Sequence, residues 1–288
     1  MKIWEMFFSP LGDTARVCAA CAAALAEAGS SALAEAGGGA LAEADDGADI
    51  CVYDFTLPAA RQSFPPISRE DIVVFGVPTY AGRVPNVLLK YLHTIEGRGA
   101  AAIALATFGN RAFDNALREL CELLAARGFS VAAGGAAVCR HAFSHTLGCG
   151  RPDAADFAEI KAFAAKAAQK IASGAYKAEA LSVPGQPGPE YGGYYQPRDR
   201  RGEPIDIRKV VPLVSDSCIG CGLCARVCPM GSIDADNPRL RSGICIKCNA
   251  CIENCPAGAR RFSDSGYLYH KQELEAMYAD RAENSFYL

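Results

Sequence analysis

Cys218-Ile219-Gly220-Cys221-Gly222-Leu223-Cys224-Ala225-Arg226-Val227-Cys228-Pro229 is followed by Cys245-Ile246-Lys247-Cys248-Asn249-Ala250-Cys251-Ile252-Glu253-Asn254-Cys255-Pro256. Both runs read C-x2-C-x2-C-x3-C-P, and together they take eight of the fourteen cysteines. Three thiolates spaced by two residues wrap one face of an Fe4S4 cube, and the fourth is displaced enough to reach a neighbouring cube. The runs therefore interlock. Cys218, Cys221, Cys224 and Cys255 are expected on one cluster, and Cys245, Cys248, Cys251 and Cys228 on the other. The alternative, a pair of zinc sites, uses two short C-x2-C hairpins across a longer loop and does not stack three cysteines before a fourth and a proline. Gly220 and Gly222 let backbone amides approach the cluster sulfurs. Ile219, Leu223, Val227, Ile246 and Ile252 exclude water, the second lever on reduction potential.

Working outward, the 288 residues suffice for two domains, and 50% hydrophobic with 21% charged residues is globular usage. A net charge of −3 argues against nucleic acid or an anionic membrane as partner. No apolar run approaches the ~20 residues of a membrane span. Met1 to Phe8 carries Glu5 and leads into a glycine turn, so it reads as a first strand and not as a signal peptide. Cluster assembly implies a reducing compartment, the cytoplasm. Cys18, Cys21, Cys51, Cys121, Cys139 and Cys149 are then free thiols acting as small core hydrophobes. Cys18 and Cys21 form a CxxC within an Ala-rich helical stretch, whereas a thioredoxin-type pair opens its helix.

Residues 1–182 alternate strands and helices, the pattern of a parallel sheet covered on both faces. Strands are expected at Lys2 to Phe8, Asp49 to Phe55, Asp71 to Gly76, Ala101 to Phe108 and Phe129 to Val138. Helices are expected from Thr14 through the Ala-rich segment, and over Val84 to Ile95, Phe113 to Arg127 and Asp153 to Ile171. Ala-Leu-Ala-Glu-Ala recurs at residues 24, 32 and 40, with Gly29, Gly37 to Gly39 and Gly47 as breakers, and reads as an expanded surface helix or loop without chemistry. Prolines and glycines from Val183 mark a linker over 183–210, where Tyr191, Tyr194 and Tyr195 are expected to pin it to a domain surface. The cluster domain spans 211–266, and a tail over 267–288 packs back as a helix from Tyr267 to Tyr278.

A five-strand doubly wound sheet binds ligands beyond the carboxyl ends of its strands, where strand order reverses. Three strand-end loops carry unusual residues there. Ser9-Pro10-Leu11-Gly12-Asp13-Thr14 is a hydroxyl-rich turn opening a helix, whose backbone N–H groups can hold a phosphate. Ser9 or Asp13 as an ordinary helix cap is the plainer reading. Gly76-Val77-Pro78-Thr79-Tyr80-Ala81-Gly82 displays one aromatic on a Pro/Gly turn, and Thr107-Phe108-Gly109-Asn110-Arg111 follows another strand. Together they suit a flat ring with a phosphate tail.

These loops resemble the three FMN-contacting loops of the flavodoxins. The whole chain resembles the flavodoxin-ferredoxin fusions called EFR1 family ferredoxin-like proteins, through Phe8-Ser9-Pro10-x-Gly12-x-Thr14, Pro78-x-Tyr80-Ala81-Gly82-Arg83-Val84-Pro85, Gly109-Asn110-Arg111-x-Phe113-Asp114, Arg151-Pro152-Asp153 and the cysteine runs. The resemblance implies an α/β flavodoxin-like domain with a five-stranded parallel sheet, then a small α+β bacterial-type domain with two 4Fe-4S clusters. It implies Ser9, Gly12, Asp13 and Thr14 around the FMN phosphate. Pro78, Thr79, Tyr80, Ala81 and Gly82 would line one side of the isoalloxazine, and Thr107, Phe108, Gly109 and Asn110 the other. Leu11 removes a threonine hydroxyl of the flavodoxin pattern. An ionised Asp13 repels a phosphate unless it turns away, so looser retention of FMN is expected.

Cys139-x-His141-x3-His145-x3-Cys149 has metal-ligand residue types, but Gly148 and Gly150 argue for a loop near the flavin edge or domain interface, where Arg140 or His141 would act on a flavin anion. Gly97-x-Gly99-x-x-Ala102 precedes a strand and so offers no helix N-terminus to a dinucleotide. No Ser-His-Asp or paired-carboxylate arrangement stands out. The expectation is an electron carrier between two 4Fe-4S clusters and FMN, with a redox protein as donor or acceptor. The alternatives are a flavin-dependent reductase of a small molecule and a cluster-bearing interaction module without flavin.

Overall fold

The computed structural model describes residues 1–36, 49–178 and 180–288. In chain order it contains β1 (Lys2–Phe7), α1 (Asp13–Ala36), β2 (Asp49–Asp54), β3 (Ile72–Pro78), α2 (Asn86–Leu92), β4 (Ala101–Phe108), α3 (Ala116–Ala126), β5 (Ser130–Val138) and α4 (Ala154–Ala172). There follow β6 (Leu213–Val214), α5 (Leu223–Arg226), α6 (Ala250–Glu253), β7 (Arg260–Arg261), α7 (Ser265–Met277) and β8 (Ser285–Tyr287).

The large sheet runs β2-β1-β3-β4-β5-β8, and every pair from β2 to β5 is parallel. The order 2-1-3-4-5 is the flavodoxin-like winding, in which the switch point lies between β1 and β3. Burial explains which strands sit centrally. All eight residues of β4 and six of seven in β3 are buried, the unbroken apolar run of a strand covered on both faces. β2, at the edge, leaves Val52 61% exposed. One face packs on α2 and α3 through Phe55, Phe75, Leu88 and Leu117, the other on α1 and α4 through Ile3, Cys18, Ile103 and Phe163.

Three expectations need correction. The sheet has a sixth strand, β8, which pairs antiparallel with Gly134 to Ala136 of β5. Gly135 makes room for it, because a Cβ there would come within 2.8 Å of the Phe286 ring, which itself stacks on Phe163 at 4.6 Å. Gly29 does not break α1, whose backbone is helical to Ala36; the other glycines of the repeat lie outside the described residues. Not all six remaining thiols are core: Cys18, Cys21, Cys121 and Cys139 are buried, Cys51 is half-buried and Cys149 exposed. Cys18 packs where Gly76 lacks a side chain, and burial pushes the Cys21 thiol up to about 12, which makes this CxxC packing rather than chemistry.

α4 starts on a capping box, Asp153 accepting from Ala155 and Asp156 N–H groups while Asp156 accepts from Asp153 N–H. Asp156 also pairs with the buried Arg151 and accepts from Asn284, whose own oxygen accepts from Val138 N–H. The tail is thus tied to the strand ends. The small cysteine-rich unit holds β6 and β7 antiparallel with α5 and α6 beneath them. Among the described residues no helix is long and apolar enough to cross a membrane.

Candidate cofactor site

Two quartets of cysteines line two separate spaces. Cys228, Cys245, Cys248 and Cys251 surround a cavity of about 390 Å³, and Cys218, Cys221, Cys224 and Cys255 line a smaller one. Each quartet therefore takes three cysteines from one run and the last cysteine from the other. The local backbone shows why the runs fold this way. Gly222 and Asn249 adopt positive φ before α5 and α6, so each run turns sharply after its second cysteine and presents its third from a short helix. Four residues beyond the last cysteine of each run, an N–H group points back at sulfur: Ser232 N donates to Cys228 Sγ at 3.5 Å and Ala259 N to Cys255 Sγ at 3.3 Å.

The donor set fits a cluster. Burial pushes the Cys248 and Cys251 thiols up to about 12, and neighbouring cysteines, Cys228 and Cys245 among them, add to this. Thiolates held this close repel one another, and cationic irons would supply the missing charge. Among the described residues no three His, Cys, Asp or Glu side chains close on a single-ion site. The space bordered by Cys228, Cys245, Cys248 and Cys251 is wider than one ion, and among the described residues the Cys139, His141, His145, Cys149 constellation forms no single-ion site.

A third cavity, of about 610 Å³, opens at the carboxyl ends of β1, β3, β4 and β5. Ser9, Asp13 and Thr14 line it from the first loop, Pro78 to Gly82 from the second, and Thr107, Phe108 and Gly109 from the third. The loops are cross-braced: Thr14 and Thr107 share a hydroxyl hydrogen bond of 2.8 Å, and Thr79 N donates to Thr107 O at 2.7 Å. Ser9 Oγ accepts from Ala15 N–H, so Ser9 caps α1. Asp13 is turned toward Arg140 (3.2 Å) and Arg16 (3.5 Å); burial raises its pKa and the two guanidiniums oppose that rise.

Two residues of the expected set stand off this wall. Gly12 forms the turn itself, at φ +87°, its N–H on Ser9 O. Asn110 is buried with its amide donating to Tyr278 O and Asp280 O and accepting from Ala282 N–H, so its side chain holds the tail. Conversely, the linker proves to be a wall of the cavity, which Tyr194, Tyr195, Pro197, Ile205, Ile207 and Arg208 line. Tyr195 N donates to Ala81 O, and the Arg83 guanidinium lies 4.6 Å from the Tyr191 ring and 4.7 Å from the Tyr194 ring. The signal available in sequence was tyrosines interleaved with Pro and Gly. His270 and Leu274 of α7 also reach the wall, and nothing local in their sequence marks them.

The loop after β5 brings Cys139, Arg140 and His141 to the same cavity. Gly109 lets this loop come close, since a Cβ there would meet His141 Cα at 2.6 Å. Burial, then the positive fields of His270 and Arg111, lower the His141 pKa from its ordinary 6.5 to about 4. His141 is therefore neutral at pH 7, and the fixed charge of this loop is Arg140.

The cavity fits a polar ring edge. Among the described residues Thr79 Oγ1 and Arg111 Nε, both on its wall, are buried without a hydrogen-bond partner, a state that a ligand relieves. Ile244, Cys245, Ile246 and Lys247 line this cavity and also the Cys228/Cys245/Cys248/Cys251 cavity. Tyr80 lies across the same boundary: burial, then the nearby Cys248 and Cys245, hold its phenol well above its ordinary pKa.

Residues 217–259 match the family model of the 4Fe-4S dicluster domain. No curated protein matches the chain. Among solved structures, oxidised flavodoxin 1 from Bacillus cereus aligns over 59% of this chain and 98% of its own, with 18% identity and a TM-score of 0.39. A flavodoxin from the domain Archaea aligns over 60% and 99%, with 14% identity and a TM-score of 0.40. Rubredoxin:oxygen oxidoreductase from Desulfovibrio gigas aligns over 62% of this chain and 36% of its own, with 19% identity and a TM-score of 0.37. The chain is a flavodoxin-like α/β domain with a C-terminal 4Fe-4S ferredoxin-type domain, as the strand order and the matched cysteine runs establish.

Proposed function

We propose that this chain is an electron-transfer flavoprotein in which two Fe4S4 clusters exchange electrons with an FMN held at the strand ends. The reading extends to membership of the EFR1 family and to a reducing cytoplasmic setting. The observation that carries it is the shared wall: residues 244–247 border the flavin-sized cavity on one side and a cysteine quartet on the other. Bound FMN supplies the junction between one-electron and two-electron chemistry. Ser9 and Thr14 hold the phosphate end, with Asp13 turned aside toward Arg140. Pro78 to Gly82 and Thr107 to Gly109 flank the ring, and Tyr194 and Tyr195 of the linker exclude water from it. The Cys218/Cys221/Cys224/Cys255 quartet is the outer station. Cys221 is exposed there and Ile219 is 70% exposed, an apolar contact point for a redox protein.

Anaerobic purification with metal and flavin analysis tests this. About eight irons and one FMN per chain are expected, whereas zinc without iron, or iron without flavin, removes the proposal. One observation favours a flavin-dependent reductase as a second reading: the cavity continues past the three loops to His270 and Leu274, leaving room beside the ring. That reading requires reduced flavin to be reoxidised by a small molecule with no protein acceptor present.

A further inference from the structure

We infer that Arg140 is the phosphate-recognising residue of the flavin site, an assignment that rests on the FMN reading above. The loop expected around the phosphate, Ser9 to Thr14, contains no basic side chain, and its one charge is the Asp13 carboxylate. A phosphate group entering there meets repulsion from its own loop, which a cation from elsewhere offsets. Two guanidiniums contact Asp13. Arg16 lies on the outer side, its side chain 52% exposed, its Nη2 on Pro152 O and its guanidinium over the Phe157 ring, and it does not line the cavity. Arg140 does line it.

Among the described residues, no other cation on that wall pairs with the Ser9–Thr14 loop. Arg111 pairs with Asp114 at 2.6 Å, Arg208 with Asp206 at 2.7 Å, and Lys247 donates to the carbonyls of Arg208 and Cys245. Arg140 donates through Nε to Asp13 (3.2 Å) and through Nη1 to Glu253 of α6 (3.0 Å). A guanidinium has five N–H donors. Among the described residues, Arg140 Nη2 has no partner, which leaves its two N–H donors for phosphate oxygens. Two carboxylates, Asp13 from the Ser9–Thr14 loop and Glu253 from the cysteine-rich unit, hold this guanidinium against the loop. Asp13, which alone would repel the ligand, becomes the group that positions its receptor.

The test compares FMN with riboflavin, which shares the ring but lacks the phosphate. Full-length protein freed of flavin is titrated with each under anaerobic conditions, and quenching of flavin fluorescence gives the dissociation constants. Arg140→Met is expected to weaken FMN at least tenfold while riboflavin stays within about threefold, and Arg140→Lys to recover part of the FMN affinity. Asp13→Asn removes the like charge while its amide oxygen still accepts from Arg140 Nε, and is expected to tighten FMN alone. Equal weakening of both flavins in Arg140→Met would show a structural role and overturn the assignment, as would unchanged FMN affinity. If the wild-type chain binds neither flavin, the FMN reading falls with it; if it binds both and Arg140→Met changes nothing, only the Arg140 assignment falls.

Discussion

Replacing Arg83 with methionine should release the linker from the flavin cavity and destabilise the first domain measurably. Arg83 and Glu119 form a bidentate pair with both contacts at 2.7 Å and side chains only 7% and 2% exposed. Glu119 also accepts from Val84 N–H, and Arg83 Nη1 donates to Glu190 O between the Tyr191 and Tyr194 rings. One guanidinium thus ties α3, the loop after β3 and the linker together. Methionine keeps the bulk and leaves the Glu119 carboxylate buried with a single N–H partner. Removing one member of a buried pair costs about 3–5 kcal/mol. At ~2–4 °C per kcal/mol for a domain of this size, the loss of Tm is on the order of 10 °C. Circular dichroism melts of anaerobic protein measure the loss, and limited proteolysis within residues 185–210 reports release of the linker. Arg83→Met combined with Glu119→Leu leaves no buried charge and should regain part of the lost stability while the linker stays cleavable. A single variant that melts within about 2 °C of wild type, with an uncut linker, would refute the reasoning.

Three further outcomes follow from named groups. His141 is neutral in the folded chain down to about pH 4 but titrates near 6.5 when unfolded, so the unfolded state binds more protons between those values. Stability should therefore fall as pH drops from about 6.5 to about 4, and His141→Leu should flatten that slope in urea melts at each pH. Cys228→Ala should remove iron from the quartet that the second run dominates, taking the iron content from roughly eight to roughly four per chain; loss of the other cluster's EPR signal instead would contradict the interlocked pairing. Asn110→Ala deletes three hydrogen bonds to the tail, at about 1 kcal/mol each. Hydrogen exchange should rise at residues 285–287, with FMN affinity changed less than threefold.

Strand alternation and continuous apolar runs carried the five parallel strands, and cysteine spacing carried the quartets, because both are local patterns. β8 was not visible that way: residues 285–287 pair with β5 where Gly135 leaves space for Phe286. The glycine pair within a strand was the available sign of close approach. The three loops were legible as strand-end turns, but the roles of Asn110 and the linker tyrosines depend on partners more than 70 residues away. Arg140 and Glu253 are separated by 113 positions, and no spacing rule joins them.

In the proposed function, flavin and clusters exchange electrons within one chain. The direct measurement is stopped-flow mixing of the fully reduced, anaerobically purified protein with substoichiometric ferricyanide, following flavin absorbance as the electrons redistribute. Exchange within the chain gives a first-order redistribution whose rate is the same at every protein concentration. A rate proportional to protein concentration would mean that electrons pass only between chains, and would contradict it.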